Sequence, residues 1–202
     1  VVRSRGLGDV YKRQLDNNIL SIYADGVRNS VGFDWHPETK EMYFTDNGRD
    51  WMGDDIPPCE LNRVVNAGDH FGFPFVHGKN IPDTGFEAPK DFVFSQPVWE
   101  FQAHTAPLGI KFYDGESFPE YYRNGAFVAQ HGSWNRSEKV GYRLLFMKME
   151  EGNVLSADVF IDGWMSNETS WGRPVTPLIL KDGSMLISDD QADSIIRVTY
   201  KG

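Results

Sequence analysis

Apolar residues along this chain come in short runs of four to eight, rich in aromatic and β-branched side chains and separated by turn residues. Such runs read as strands. Val31–Trp35 (VGFDW) and Glu41–Thr45 (EMYFT) flank the turn HPETK, and Leu61–Val65 follows. Gly109–Tyr113 (GIKFY), Ala126–Gln130 (AFVAQ) and Tyr142–Met149 (YRLLFMKM) repeat the plan. Thr176–Leu180, Met185–Ser188 and Ser194–Tyr200 repeat it again, with Lys181-Asp182-Gly183 as the tight turn. Further edge strands are predicted at Ile19–Ala24 and Val154–Ile161, and no stretch carries a helical period of 3.6.

In every unit two short strands share a tight turn, the second runs into a polar loop, and a third strand follows. Arg28 and Arg173 precede the first strand of units one and three, and Ala106 holds that place in unit two, at spacings of 78 and 67 residues. Antiparallel meanders at this spacing predict an all-β fold, a partial β-propeller of about three blades. Three blades do not close a ring, so a fragment is expected. The strands ending at Thr45, Gln130 and Ser188 are expected side by side near one axis, with no helix beyond a turn or two.

Residues 1–14, VVRSRGLGDVYKRQ, depart from the pattern. They hold four basic residues and one acid in a chain of formal charge −9, and without them the remainder has 16 basic and 28 acidic residues. The stretch resembles a translated adapter remnant and is expected to be unstructured and non-native. Residues 15–202 then form the propeller part. The acidic balance argues against a surface that binds nucleic acid through its phosphates. One cysteine, Cys59, excludes an internal disulfide and a cysteine-based zinc cluster. No run reaches the length of a membrane span.

The candidate chemistry gathers in the loops after the second strands. Asp46, Asp50, Asp54, Asp55 and Glu60 lie close together with Gly48 and Gly53. Oxygen donors on a bent backbone suit Ca²⁺, and a solvated acidic loop has the same composition. His36, His70, His77 and His104 lack metal-ligand spacing and read as structural.

The segments GVRNSVGFDWHP, TDNGRD, GDDIPPCELN, HFGFPF, APLGIKFY, AQHGSWNRS and GRPV…DGSMLISDD resemble the glucose/sorbosone dehydrogenases, over about Tyr23–Tyr200. These are six-bladed propellers that use pyrroloquinoline quinone with Ca²⁺, and the match is nearest the L-sorbosone dehydrogenase-like branch, as its C-terminal part. The resemblance implies oxidation of an aldose or sugar-derived aldehyde or alcohol, with hydride passing to the quinone and electrons to an external acceptor such as cytochrome c. It also implies export to the periplasm or beyond. By position, Arg28 corresponds to the catalytic arginine over the reactive carbonyl, and Asn29 to a residue that hydrogen-bonds the cofactor. Gly48 and Arg49 correspond to carbonyl ligands of Ca²⁺, Arg49 standing where the glucose-oxidising branch has proline. Glu60 corresponds to a second Ca²⁺ site. Arg173 and Asp189 match cofactor-contacting residues. Arg136 is the candidate replacement for a cofactor-binding lysine, with His131 as a donor and Trp134 as a stacking wall. The family's general base, a histidine, would precede His36 and lie outside this chain, which is then expected to be inactive alone. A Ca²⁺-dependent propeller hydrolase of the lactonase type and a non-catalytic binding propeller remain the alternatives.

Overall fold

The computed structural model describes residues 10–14 and 19–202. In chain order the strands are β1 (Val10–Gln14), β2 (Ile19–Asp25), β3 (Phe33–Trp35), β4 (Met42–Asp46) and β5 (Cys59–Val64). Three two-residue strands, β6 (Asp69–His70), β7 (Val76–His77) and β8 (Ile81–Pro82), precede β9 (Trp99–Phe101). Then come β10 (Pro107–Phe112), β11 (Ala126–Gln130), β12 (Arg143–Glu150) and β13 (Asn153–Ile161). The short pair β14 (Met165–Ser166) and β15 (Thr169–Ser170) leads to β16 (Pro174–Ile179), β17 (Met185–Asp189) and β18 (Ser194–Val198). Among the described residues the one helical segment is a 3₁₀ turn at Glu120–Tyr122.

Three antiparallel sheets form the blades, in the orders β3-β4-β5-β9, β10-β11-β12-β13 and β16-β17-β18. The fold is all-β, a partial propeller. β2 pairs in parallel with β6 beside the first blade. β1 pairs antiparallel with β2, so residues 10–14 have structure where an unstructured remnant was expected. An edge strand offers unpaired N–H and C=O groups to any extended neighbour, whatever that neighbour's origin. Residues 1–9 lie outside the described residues.

Side-chain alternation along one strand builds two cores at once. In β11, Ala126 and Val128 join Tyr43, Leu61 and Phe101 of the first blade. Phe127 and Ala129 point the other way, to Met185 and Ile187 of the third. β12 divides likewise, Leu145 and Met147 to one side, Leu144 and Phe146 to the other. A strand clamped on both faces reads as continuously apolar rather than alternating, as AFVAQ does.

Blade meets blade through the first two strands of each sheet: β10 lies against β3 and β4, and β16 against β10 and β11. The strands ending at Thr45, Gln130 and Ser188, expected side by side near one axis, are second in their sheets, each flanked by the first strand. The approach is close enough to require glycine. A Cβ on Gly32 would lie 2.3 Å from the Leu108 carbonyl oxygen, and one on Gly109 would lie 2.6 Å from Thr176 Cα.

Candidate functional site

Antiparallel pairing puts the lead-in to each first strand and the loop leaving each second strand at the same end of the blade. Arg28 and Asn29 lead into β3, His104 to Ala106 into β10, and Arg173 into β16, while Asn47–Asp50 leave β4 and His131–Trp134 leave β11. These segments line one pocket of about 370 Å³. The expected site residues Arg28, Asn29, Gly48, His131 and Arg173 all face it, together with Trp134.

A polar residue at the end of each second strand holds the lead-in beside it. Asp46 accepts the Arg28 and Asn29 backbone N–H groups at 2.9 and 2.6 Å. Burial pushes its carboxyl up to about 6, against the pull of those donors. Gln130 donates to Thr105 Oγ1 at 3.1 Å. Asp189 Oδ1 accepts from the backbone of Arg173, Gln191 and Ala192 at 2.9, 3.0 and 2.8 Å. Asp189, expected to touch a cofactor, is thus a buried clamp on the arginine's backbone and is absent from the pocket lining.

The two pocket arginines are held differently. Arg28 Nη1 donates to the Asn47 and Gly48 carbonyls at 3.1 and 2.8 Å, and Nη2 lies 3.2 Å from Asp50 Oδ2. Arg173 donates to the His131 and Gly132 carbonyls at 3.1 and 3.3 Å and stands over the Tyr142 ring, 5.6 Å from its centroid. Among the described residues it has no carboxylate partner. His131 Nε2 is 2.9 Å from Asp190, and His104 Nε2 is 2.7 Å from the Gly53 carbonyl.

Arg136 does not face the pocket. Its guanidinium bonds the Asp54 backbone carbonyl and pairs with the Asp55 carboxylate at 2.9 Å. The Arg49 side chain turns to Asp83, which also binds His77 Nε2 at 2.8 Å. Burial alone would raise the Asp83 carboxyl, but bonds from His77, Gly85 and Arg49 outweigh it and hold it below the usual range. Glu60 is buried away from the pocket, accepting from Gly78 N–H at 2.6 Å and Asn62 Nδ2 at 2.9 Å. Desolvation and the neighbouring Asp46 push its carboxyl up to about 7. Among the described residues no group of three or more His, Cys, Asp or Glu side chains could hold a metal ion. The oxygens that do converge are the Asn47 and Gly48 carbonyls, with the Asp50 carboxylate. They fit a hard cation, and the two arginines with the Trp134 ring fit a flat, anionic ligand.

His104 and Cys59 also line the pocket, which the sequence reading did not foresee. His104 could have been found by position, since it leads into β10 as Arg28 leads into β3 and Arg173 into β16. Cys59 carried no such signal. It reaches the pocket floor because β5 lies against β4, where Gly48 N–H approaches its Sγ at 3.5 Å.

A family model described as TrAA12-like matches residues 63–200. The chain belongs to the TrAA12-like family. An uncharacterized protein of Borreliella burgdorferi is 46% identical over 185 residues, covering 89% of this chain and 49% of that protein. The chain therefore spans about half the length of the curated relative it matches. Solved structures are similar at greater distance. The calcium structure of a Trichoderma reesei protein of Carbohydrate-Active Enzymes Family AA12 superposes with a TM-score of 0.72 at 20% identity, over 88% of this chain and 53% of that one. The holo PQQ domain of pyranose dehydrogenase from Coprinopsis cinerea gives 0.62 at 17%, over 90% and 56%. The apo soluble aldose sugar dehydrogenase of Escherichia coli gives 0.61 at 19%, over 87% and 46%. At such identities the likeness is one of fold. This TrAA12-like chain has the fold of sugar-dehydrogenase propellers, in line with the resemblance its motifs carry.

Proposed function

We propose that this chain forms the quinone-facing part of a pyrroloquinoline quinone-dependent sugar dehydrogenase. Arg173 carries the reading. It is a half-buried cation with no carboxylate partner among the described residues, in a pocket that Arg28 and Trp134 also line. A desolvated charge is stabilised by an opposite charge brought to it, and the quinone's three carboxylates supply that charge. The neighbouring pyranose dehydrogenase domain and the AA12 protein, by what their structures hold, favour the same quinone and calcium.

When bound, the quinone supplies a two-electron acceptor for hydride from an aldose or sugar-derived aldehyde or alcohol. Arg173 and His131 would hold its carboxylates, Asn29 would offer an amide, and Trp134 would supply a stacking surface. Arg28 would bring positive charge to an oxygen on which negative charge grows. Asp46 and Asp189 keep the two arginines in place through their backbones. The Asn47 and Gly48 carbonyls and Asp50 would hold the calcium ion. We place the protein outside the cytoplasm, passing electrons to an external acceptor such as cytochrome c. A lactonase would need carboxylates from several blades turned into the centre; here Asp46 and Asp189 turn to backbone amides instead.

The test is titration of the chain with pyrroloquinoline quinone in Ca²⁺, following tryptophan fluorescence. Saturable quenching that Arg173→Ala weakens at least about tenfold is expected, a charged hydrogen bond being worth roughly 1.5–3 kcal/mol. Absence of saturable binding would reject the reading. Aldose-dependent dye reduction by the complete protein then separates a dehydrogenase from a non-catalytic binding propeller.

A further inference from the structure

The Arg28 guanidinium rests on three oxygens of the kind that bind hard cations. The Asn47 and Gly48 carbonyls both accept from Nη1, at 3.1 and 2.8 Å, and Asp50 Oδ2 lies 3.2 Å from Nη2. Carbonyls of consecutive peptides that turn towards one point repel each other, and positive charge at that point offsets the repulsion. The backbone, rather than the guanidinium, sets this orientation. A Cβ on Gly48 would lie 2.5 Å from the Pro58 carbonyl oxygen, so the loop is pressed against Pro57-Pro58, and Gly48 N–H is directed at the buried Cys59 sulfur. The cradle would therefore outlast the departure of the side chain in it.

We infer that Arg28 and a calcium ion are alternative occupants of one cradle, made by the Asn47 and Gly48 carbonyls and the Asp50 carboxylate. Both cannot sit there, since two positive charges would share the same oxygens at contact distance. Carbonyl and carboxylate oxygens are the donors calcium takes, and water completes its coordination. Arg28 is fixed at its stem, because its backbone N–H is held by Asp46 at 2.9 Å. Displacement therefore swings only the long side chain, and the free space beside it is the pocket that Arg173 lines.

The consequence is a coupling between the cation and the anionic ligand. Without calcium, Arg28 is spent on its own carbonyls and Arg173 alone offers an unpaired charge. With calcium in the cradle, both guanidinium groups are available to an anion. By linkage, an anion that draws Arg28 into the pocket opens the cradle to calcium by the same factor. The identity of the anion rests on the quinone reading above; the exchange of occupants does not.

The experiment is calcium titration of the chain by isothermal calorimetry, with no quinone present. Arg28→Ala is expected to bind Ca²⁺ about tenfold tighter than the unaltered chain, within the usual range of coupled sites. Asp50→Asn is expected to bind it about tenfold more weakly. Arg28→Lys keeps the charge but cannot bridge three oxygens, and an affinity between those of the unaltered chain and Arg28→Ala is expected. In the unaltered chain the Arg28 Nε–H resonance, identified by its loss in Arg28→Ala, should shift as Ca²⁺ saturates. Equal or weaker calcium binding by Arg28→Ala, no calcium binding by any variant, or an unmoved Nε–H resonance would overturn the inference. If these results hold and no quinone binds, the exchange stands and the dehydrogenase reading falls.

Discussion

Position within a repeat made single residues legible where chemistry alone did not. Arg28 and Arg173 precede equivalent strands in different blades, and the fold delivers both to one pocket. Arg136 had the right charge in the right loop, yet nothing in the sequence showed that Asp54 and Asp55 from the first blade would reach it across 81 residues. Asp189 had the right place and a different task, since a carboxylate ending a strand can serve either a ligand or the turn beside it. His36 shows a third case. It reads as structural, and it is: buried against Phe112 at 5.0 Å, with Nδ1 accepting from the Glu38 and Thr39 N–H groups at 3.2 and 3.3 Å. Burial lowers its pKa below 6.5 despite the nearby Glu38 and Glu41. The unfolded chain therefore takes up a proton near pH 6.5 that the folded chain refuses. His36 thus favours folding fully above that pH and less as pH falls, by at most about 1.4 kcal/mol per pH unit. Urea unfolding between pH 7.5 and 5.5 should show the unaltered chain losing stability more steeply than His36→Asn. Equal slopes would mean that this imidazole is protonated in the fold.

At the scale of elements, the strands and their antiparallel partners followed from short apolar runs and turn residues, while their order within a blade did not. First and second strands carry the same kind of sequence, VGFDW beside EMYFT, so composition cannot say which lies inside. Glycine can. Gly32 and Gly109 sit in or just ahead of strands, where glycine is unfavourable unless another backbone comes close. At Gly109 the neighbour is Thr176 of the next blade, whose Cα would be 2.6 Å from an added Cβ. Backbone must shift to admit that methyl, since Thr176 sits in a paired strand. Gly109→Ala should destabilise the chain by about 1–3 kcal/mol, the cost of overpacking a filled contact. In a chain of this length that lowers Tm by roughly 2–4 °C per kcal/mol. Gly85→Ala is the control, because its Cβ would meet only Asp83 Oδ1 at 3.5 Å in an exposed turn, and should change stability by less than about 0.5 kcal/mol. If Gly109→Ala melts with the control, the inner strands are not in contact as described.

For the whole molecule, repetition revealed a propeller and the number of units an open one, but which surfaces stay open depends on the direction each strand faces. Gly32, just ahead of β3, and Asp34, on it, turn to the second blade, Asp34 accepting the Phe112 N–H at 2.9 Å. Phe33 and Trp35 therefore face away from it and remain about half exposed, at 51 and 49%. On the third blade, Met185 and Ile187 pack inward, leaving Leu178 at 51% and Ile195 at 69% on the opposite face. These two apolar faces lie at the two ends of the blade series, where a closed ring would cover each with another blade. Apolar rows left open in this way drive association. The chain by itself is expected to self-associate, with a weight-average mass in sedimentation velocity that rises with concentration. The double substitution Leu178→Lys, Ile195→Lys touches neither core cluster and should shift that distribution towards monomer with little change in Tm. Phe33→Lys alone should act on the other face in the same direction, and adding it to the double variant should give the largest shift, because head-to-tail contacts need both faces. A chain that sediments as a monomer at every concentration, or variants that associate as strongly as the unaltered chain, would show that these faces are not ones that neighbouring blades would cover.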